Sequence, residues 1–314
     1  MKKKQMEKNR KLFFAWIAFL VTIFLFVIIT GVYHNFREKH AFGYHYRILI
    51  DKDLVVENED KNQESIHTSE TDSDAGFYEQ TKYGYLPIIT PNGKSVFDRF
   101  AARIGINTQK ILRVAVLVDE SNKTQISMKL NNQIMTFIIP HHINQLDDLV
   151  KMIREKGHEF FIQIPTQTST RENKEGGISP FLANDNLENT REKLFYLLAV
   201  TKYALGIANI TPTLFTKSNR DMTAVIDVLT ERGAAFFDAE KSNDLIKNIA
   251  RIRSLIYINP THIYEARDFD ISQLKDGDVL MIRLEHLEDL MKKLPRDWTL
   301  APVSSSVGGT HATL

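Results

Sequence analysis

Apolar and polar positions divide the chain into three regimes. Residues 12–33 carry no charge and are dense in Phe, Ile, Leu and Val. Residues 51–82 show the opposite pattern, with ten acidic side chains, three lysines and few large apolar residues. Beyond residue 110 short apolar runs alternate with stretches whose apolar residues recur at helical spacing. The runs at 113–118, 134–139, 160–164, 205–209, 234–237, 255–258, 279–282 and 299–303 predict buried strands. Leu146, Leu149, Val150 and Ile153 predict a helix ended by Gly157. Further helices are predicted over 187–203 and over 219–232, the latter stopped by Gly233. Strand–helix alternation of this kind predicts an α/β architecture with a largely parallel sheet.

The 22 uncharged residues at 12–33 would span about 33 Å as a helix, enough to cross a hydrocarbon core of about 30 Å. Lys2, Lys3, Lys4, Lys8, Arg10 and Lys11 precede them, opposed only by Glu7. That basic flank stays on the cytoplasmic side and sends the rest of the chain across the membrane. A cleaved signal peptide has a shorter apolar region that ends in small residues. Here His34, Asn35 and Phe36 follow instead, which favours an uncleaved anchor. The acidic segment buries too little apolar surface to offset its chain entropy and reads as a disordered tether.

The resulting organisation is a cytoplasmic basic tail (1–11), a transmembrane anchor (12–33), an acidic tether (34–82), an ordered arm (83–109), a domain (110–305) and a frayed tail (306–314). Within the arm, a turn at Pro91-Asn92-Gly93 precedes a short helical pattern over 95–103. The localisation that follows is a membrane crossed once, with the domain on the non-cytoplasmic side.

Composition narrows the chemistry. With 40 basic and 39 acidic residues the net charge is +1, which excludes a strongly nucleic-acid-binding surface. The absence of cysteine excludes disulfides, thiol catalysis and cysteine-ligated metals. Walker, dinucleotide-binding, serine-elbow and His-Glu-x-x-His motifs are all missing.

Ligands of parallel α/β sheets bind beyond the carboxyl ends of the strands. Those ends carry Asp119 and Glu120, His141 and His142, Gln163, Asn209 with Thr211, Asp238, and Arg283 with Glu285. Asp119 and Glu120 form a carboxylate pair that can hold a metal or act as a base, or can cap the following segment. His141 and His142 are adjacent, so on an extended chain at most one faces the site. His158 precedes its strand and reads as structural. His262 and His286 are isolated, and the serine run at 304–306 reads as tail.

These residues together resemble the divergent polysaccharide deacetylase family of bacterial envelopes. The resemblance runs through Arg113-Val-Ala-Val-Leu-Val-Asp119-Glu120, Lys156-Gly-His-Glu159 with Phe161-Ile-Gln-Ile-Pro165, Gly206-Ile-Ala-Asn209 with Phe215-Thr216, Phe236-Phe-Asp238, and Leu300-Ala-Pro-Val-Ser304. It covers roughly residues 83–305 and implies an irregular, seven-stranded (β/α) barrel-like fold, anchored in the bacterial inner membrane and facing the periplasm. It also implies metal-assisted removal of an acetyl group from an amino sugar, using an Asp-Asp pair and two histidines. Asp119 matches the first Asp of that pair, and Glu120 replaces the second. Gln163 and Ile210 stand at the two histidine positions, beside a matching Asn209, and Glu240 replaces an Arg.

A glutamine carbonyl is a poor zinc ligand and isoleucine offers none. The expectation is therefore a degenerate, non-catalytic domain that needs no cofactor. It would bind envelope glycan or a periplasmic protein through Asp119, Glu120, Gln163, Asn209, Thr211, Asp238 and His141, with Phe137, Phe215 or Trp298 as stacking surfaces. The alternatives are a zinc-dependent deacetylase with an altered ligand set, built on Asp119, Glu120 and His141 or His142, and a purely structural envelope protein.

Overall fold

The computed structural model describes residues 74–102, 110–126, 133–167, 178–240, 244–264 and 270–307. The chain divides into residues 1–66 and 67–314, and every described residue lies in the second unit. The predicted anchor (12–33) and basic tail (1–11) lie outside the described residues, as does most of the predicted tether (34–82). Among the described residues no helix is long and apolar enough to cross a membrane.

Nine parallel strands form one sheet. They are β3 (Lys110–Leu117), β4 (Thr136–Pro140), β5 (Glu159–Gln163), β6 (Gly206–Asn209), β7 (Ala235–Asp238), β8 (Tyr257–Ile258), β9 (His262–Tyr264), β10 (Val279–Arg283) and β11 (Trp298–Ala301). The order is β8-β7-β6-β5-β4-β3-β10-β9, and β11 also pairs with β3. The two end strands, β8 and β9, do not pair with each other among the described residues, so the sheet is a curled, open half-barrel. This corrects the expected count of seven strands.

Burial explains the strand sequences. Every side chain of β4, β6 and β7 is buried, the mark of parallel strands covered on both faces. One edge of β3 pairs with β10 and the other is shared. Lys110 to Arg113 pair with β11 and Ala115 to Leu117 pair with β4. The chain leaving β11 is thereby delivered to the start of β4.

The helices are α1 (Val96–Phe100), α2 (Leu146–Glu155), α3 (Leu187–Val200), α4 (Asn219–Glu231), α5 (Asp244–Ile252) and α6 (Leu284–Lys293). α2 buries Leu149, Val150 and Ile153, places Asp147 and Asp148 in its first turn and ends before Gly157 at φ 79°. Ser218 caps α4 by accepting from the Asp221 N–H, and Asn186 caps α3 by accepting from the Glu188 N–H. Helices α5 and α6 and strand β9 had no counterpart in the sequence reading.

Residues 74–82, assigned above to the tether, are ordered. Strand β1 (Tyr78–Thr81) pairs antiparallel with β2 (Gly84–Pro87) in a hairpin that packs on α3. The arm continues into α1, where Ser95 and Asp98 form a reciprocal capping box. It lies closely against Gly233, where an added Cβ would come 2.7 Å from Ser95 Cβ and 2.9 Å from Ile89.

The serine run is not a tail either. Ser304 is buried in the turn Val303–Ser306, at the amino end of the sheet. There the carboxylate of Glu159, fully buried, receives four hydrogen bonds. Oε1 accepts from Thr136 Oγ1 (2.5 Å) and Ser304 N (3.0 Å), and Oε2 accepts from Ala102 N (2.8 Å) and Ser304 Oγ (2.5 Å). One carboxylate thus fastens the arm, the last turn and β4 to β5. Arg154 adds a further tie, donating to the carbonyls of Phe100 (2.7 Å) and His158 (3.0 Å).

Candidate functional site

The carboxyl ends of the strands follow one another along the curled edge as Asp238, Asn209, Gln163, His141, Asp119 and Arg283. Asn209 and Asp238 are register partners on β6 and β7. Asp119 follows β3, four strands from β7. At about 4.8 Å per strand this separates Asp119 from Asp238 by roughly 19 Å along the edge. Among the described residues no three His, Asp or Glu side chains come together as a group that could hold a metal ion.

One hydrogen-bonded network on the edge centres on Asp238, which is 1% exposed. Its Oδ1 accepts from Asn209 Nδ2 (2.9 Å) and Glu240 N (3.1 Å), and its Oδ2 accepts from the Tyr257 hydroxyl (2.8 Å). Burial raises the Asp238 pKa, against those donors. Burial and the adjacent carboxylate raise that of Tyr257. Asn259 Nδ2 donates to the Asp238 carbonyl (2.5 Å), and Thr216 Oγ1 donates to Glu240 Oε2 (3.2 Å). Tyr257 and Asn259 were absent from the sequence-based candidates. The Asn259-Pro260 turn after a short apolar run marks Asn259 as a strand-end residue; nothing in the sequence marks Tyr257.

Asp119 spends one oxygen on its own turn. Oδ1 accepts from Ser121 N (2.9 Å), Ser121 Oγ (2.5 Å) and Asn122 N (3.1 Å). This is the capping role that competes with metal binding or catalysis. Glu120 points elsewhere, accepting from Asn144 N (2.9 Å) and Nδ2 (3.1 Å), with Lys123 Nζ 2.7 Å away. Lys123 and the Asn144 donors hold the Glu120 carboxyl down at about 2. The two carboxylates are not a working pair.

His141 is buried, with its ring edge-on to that of His142 at 5.1 Å, while Thr211 is exposed. Gln163 is half-buried, and its side-chain amide makes no hydrogen bond among the described residues. Ile210, at the next strand end, is partly buried and packs against the core. Leu214, in the loop after β6, is 79% exposed.

The proposed stacking rings are elsewhere. Phe137 and Phe215 are buried in the core, and Trp298 begins β11 at the opposite end of the sheet, beside Lys110. Outside the edge, His158 is buried and its Nδ1 accepts from Met135 N (3.2 Å), while His262 pairs with Asp278 (2.9 Å).

These residues do not fit a tightly held zinc ion. The two positions matched to imidazole ligands carry an amide and a hydrocarbon, and the matching aspartate has committed one oxygen to three donors. Among the described residues no group of three His, Asp or Glu side chains is placed to hold a metal.

Residues 116–263 match the family described as divergent polysaccharide deacetylase. No curated protein matches the chain. A crystal structure of an uncharacterized protein from Agrobacterium tumefaciens C58 is similar over 71% of this chain and 90% of that one, at 18% identity and TM-score 0.54, a likeness of fold. The Xyl-CE4 domain of a multidomain xylanase from the hindgut metagenome of Trinervitermes trinervoides aligns over 63% of this chain and 89% of that one, at 12% identity and TM-score 0.32. A family 2 AP endonuclease from Brucella melitensis aligns over 64% and 97%, at 11% identity and TM-score 0.36. Scores that low carry no argument about this chain.

Proposed function

The chain belongs to the divergent polysaccharide deacetylase family through residues 116–263, and on that premise we propose that it binds envelope glycan without hydrolysing it. Carrying this reading is the state of the two positions where the family resemblance calls for imidazoles. Gln163 presents a half-buried amide and Ile210 a side chain packed on the core. A deacetylase of this kind polarises the acetamido carbonyl and activates water with a metal ion. An amide is a poor ligand for that ion and a hydrocarbon offers none, and Glu120, tied to Asn144 and Lys123, is poorly placed as a base.

What remains is a recognition surface. The Gln163 amide offers both a donor and an acceptor, which suits a sugar hydroxyl or acetamido group. Asn209 is held by Asp238 in a fixed orientation beside it. Ile210 and the exposed Leu214 offer apolar area for the carbon face of a sugar ring, in place of the aromatic rings expected from sequence. In the same reading the domain is periplasmic and held at the inner membrane by residues 12–33.

Titration calorimetry with acetylated chito-oligomers and peptidoglycan fragments tests the proposal. Saturable binding without acetate release supports it, and Gln163→Ala should weaken that binding about 3- to 10-fold, the share of one or two hydrogen bonds. Acetate release that disappears in Asp119→Asn would establish a hydrolase with an altered ligand set. Neither binding nor release would leave the purely structural reading.

A further inference from the structure

A second surface lies on the flank of the domain, away from the strand ends. Tyr85 on β2 is 45% exposed, and Tyr196 and Val200 on α3 are 40% and 41% exposed. Tyr196 and Val200 are four residues apart and share one helix face. Tyr83, in the hairpin turn, meets Tyr196 edge-on at 4.8 Å. Lys202 Nζ stands 3.8 Å from the centroid of the Tyr85 ring, and Lys82 Nζ stands 4.7 Å from that of Tyr83. Lys82 is paired with Glu192 (3.1 Å), whereas Lys202 has no ion pair among the described residues. Gathered tyrosines and an aliphatic side chain rimmed by ammonium groups are the composition enriched where protein meets the membrane–water boundary.

The position of this patch in the chain says what covers it. Its hairpin holds the first described strand of the chain, and residues 34–73 lie between it and the predicted anchor at 12–33. We propose that this hairpin–α3 face docks on the anionic headgroups of the membrane in which the anchor sits, with the tyrosines at headgroup depth and Lys202 against phosphate. This rests on reading residues 12–33 as a membrane span. A tether of 40 residues would reach about 35 Å and hold the domain at roughly millimolar effective concentration above the bilayer. Lys202, worth about five-fold near an anionic surface, and the tyrosines at headgroup depth then favour the docked state.

The test uses the full-length chain in lipid nanodiscs of either neutral phosphatidylcholine or a mixture with phosphatidylglycerol, followed by hydrogen exchange. Peptides covering 78–87 and 191–203 should exchange several-fold more slowly in the anionic discs, while those covering 136–163 stay unchanged. Lys202→Glu, an exposed change that leaves the thermal melt in place, should erase most of the difference, and Tyr85→Ser part of it. Equal exchange in the two lipids overturns the proposal, as does protection that arises only on adding glycan fragments. A chain that fails to co-migrate with the discs refutes the anchor as well, which separates that failure from the loss of docking alone.

Discussion

Replacing Glu159 with glutamine alters almost no volume and removes one acceptor site. The carboxylate now accepts from two backbone N–H groups, Ala102 and Ser304, one on each oxygen, and from the hydroxyls of Thr136 and Ser304. In Glu159→Gln either amide orientation turns an NH2 group toward one of those N–H groups. The hydroxyls can rotate to accept, but a backbone N–H cannot. One buried donor is left orphaned, at about 1–3 kcal/mol. At pH 5, where burial favours the protonated acid in the folded state, that orphaned donor sets the expected loss at about 1–3 kcal/mol.

The loss should depend on pH. Burial raises the Glu159 pKa above the ordinary carboxylate value, so above pH 4.5 the folded state binds more protons than the unfolded state. The wild type therefore loses stability as pH rises from 4.5 through the folded pKa, whereas the glutamine variant does not. The difference between them is largest on the acid side and narrows upward. Urea unfolding of both proteins at pH 5 and pH 8 measures it. Because Ala102 and Ser304 belong to the arm and the last turn, early proteolysis in both segments should accompany the loss. A variant within 0.5 kcal/mol of wild type at pH 5, about the noise of such measurements, would refute the reasoning.

His158 should impose the opposite pH trend. Burial, followed by Lys156, pushes its imidazole down to about 4, and Nδ1 already accepts the Met135 N–H, so the neutral ring is the folded form. Between about pH 6.5 and pH 4 the unfolded state binds the extra proton, and stability falls by about 2 kcal/mol once solvent screening is allowed for. His158→Gln, which keeps an acceptor, should flatten that part of the urea-unfolding profile; an unchanged slope would contradict the assignment. Gly206→Ala should prevent folding or cost more than about 3 kcal/mol. Its Cβ would fall 1.8 Å from the Ala235 carbonyl oxygen, a backbone atom that cannot turn aside. Circular dichroism of a soluble, wild-type-like Gly206→Ala protein would show that β6 and β7 lie farther apart.

Much of the sheet was legible because buried parallel strands carry their signal locally. Runs such as 113–118 and 160–164 are apolar on both faces, and β3 and β5 coincide with them to within a few residues. The hairpin was not legible. Tyr78–Thr81 is short and half polar, and becomes a strand only by pairing with Gly84–Pro87 and packing on α3. For the same reason Glu159 showed nothing of its role, since its partners stand 23, 57 and 145 positions away.

At the strand ends the sequence located the residues but not their directions. Gln163 and Asn209 could be placed on the edge from the run lengths, whereas Asp119 turning onto Ser121 and Asn122 depended on local turn geometry. From sequence alone Phe137 and Phe215 read as stacking surfaces because they are aromatic. Their burial follows from layers of core that periodicity does not describe.

The central claim is that the domain keeps the family's sheet without the donors to hold the family's metal. Elemental analysis of the full-length chain, purified without chelator after growth in zinc-supplemented medium, tests it most directly. The account predicts zinc well below one ion per chain, unchanged by Asp119→Ala. One tightly held ion per chain, lost on that substitution, would contradict it.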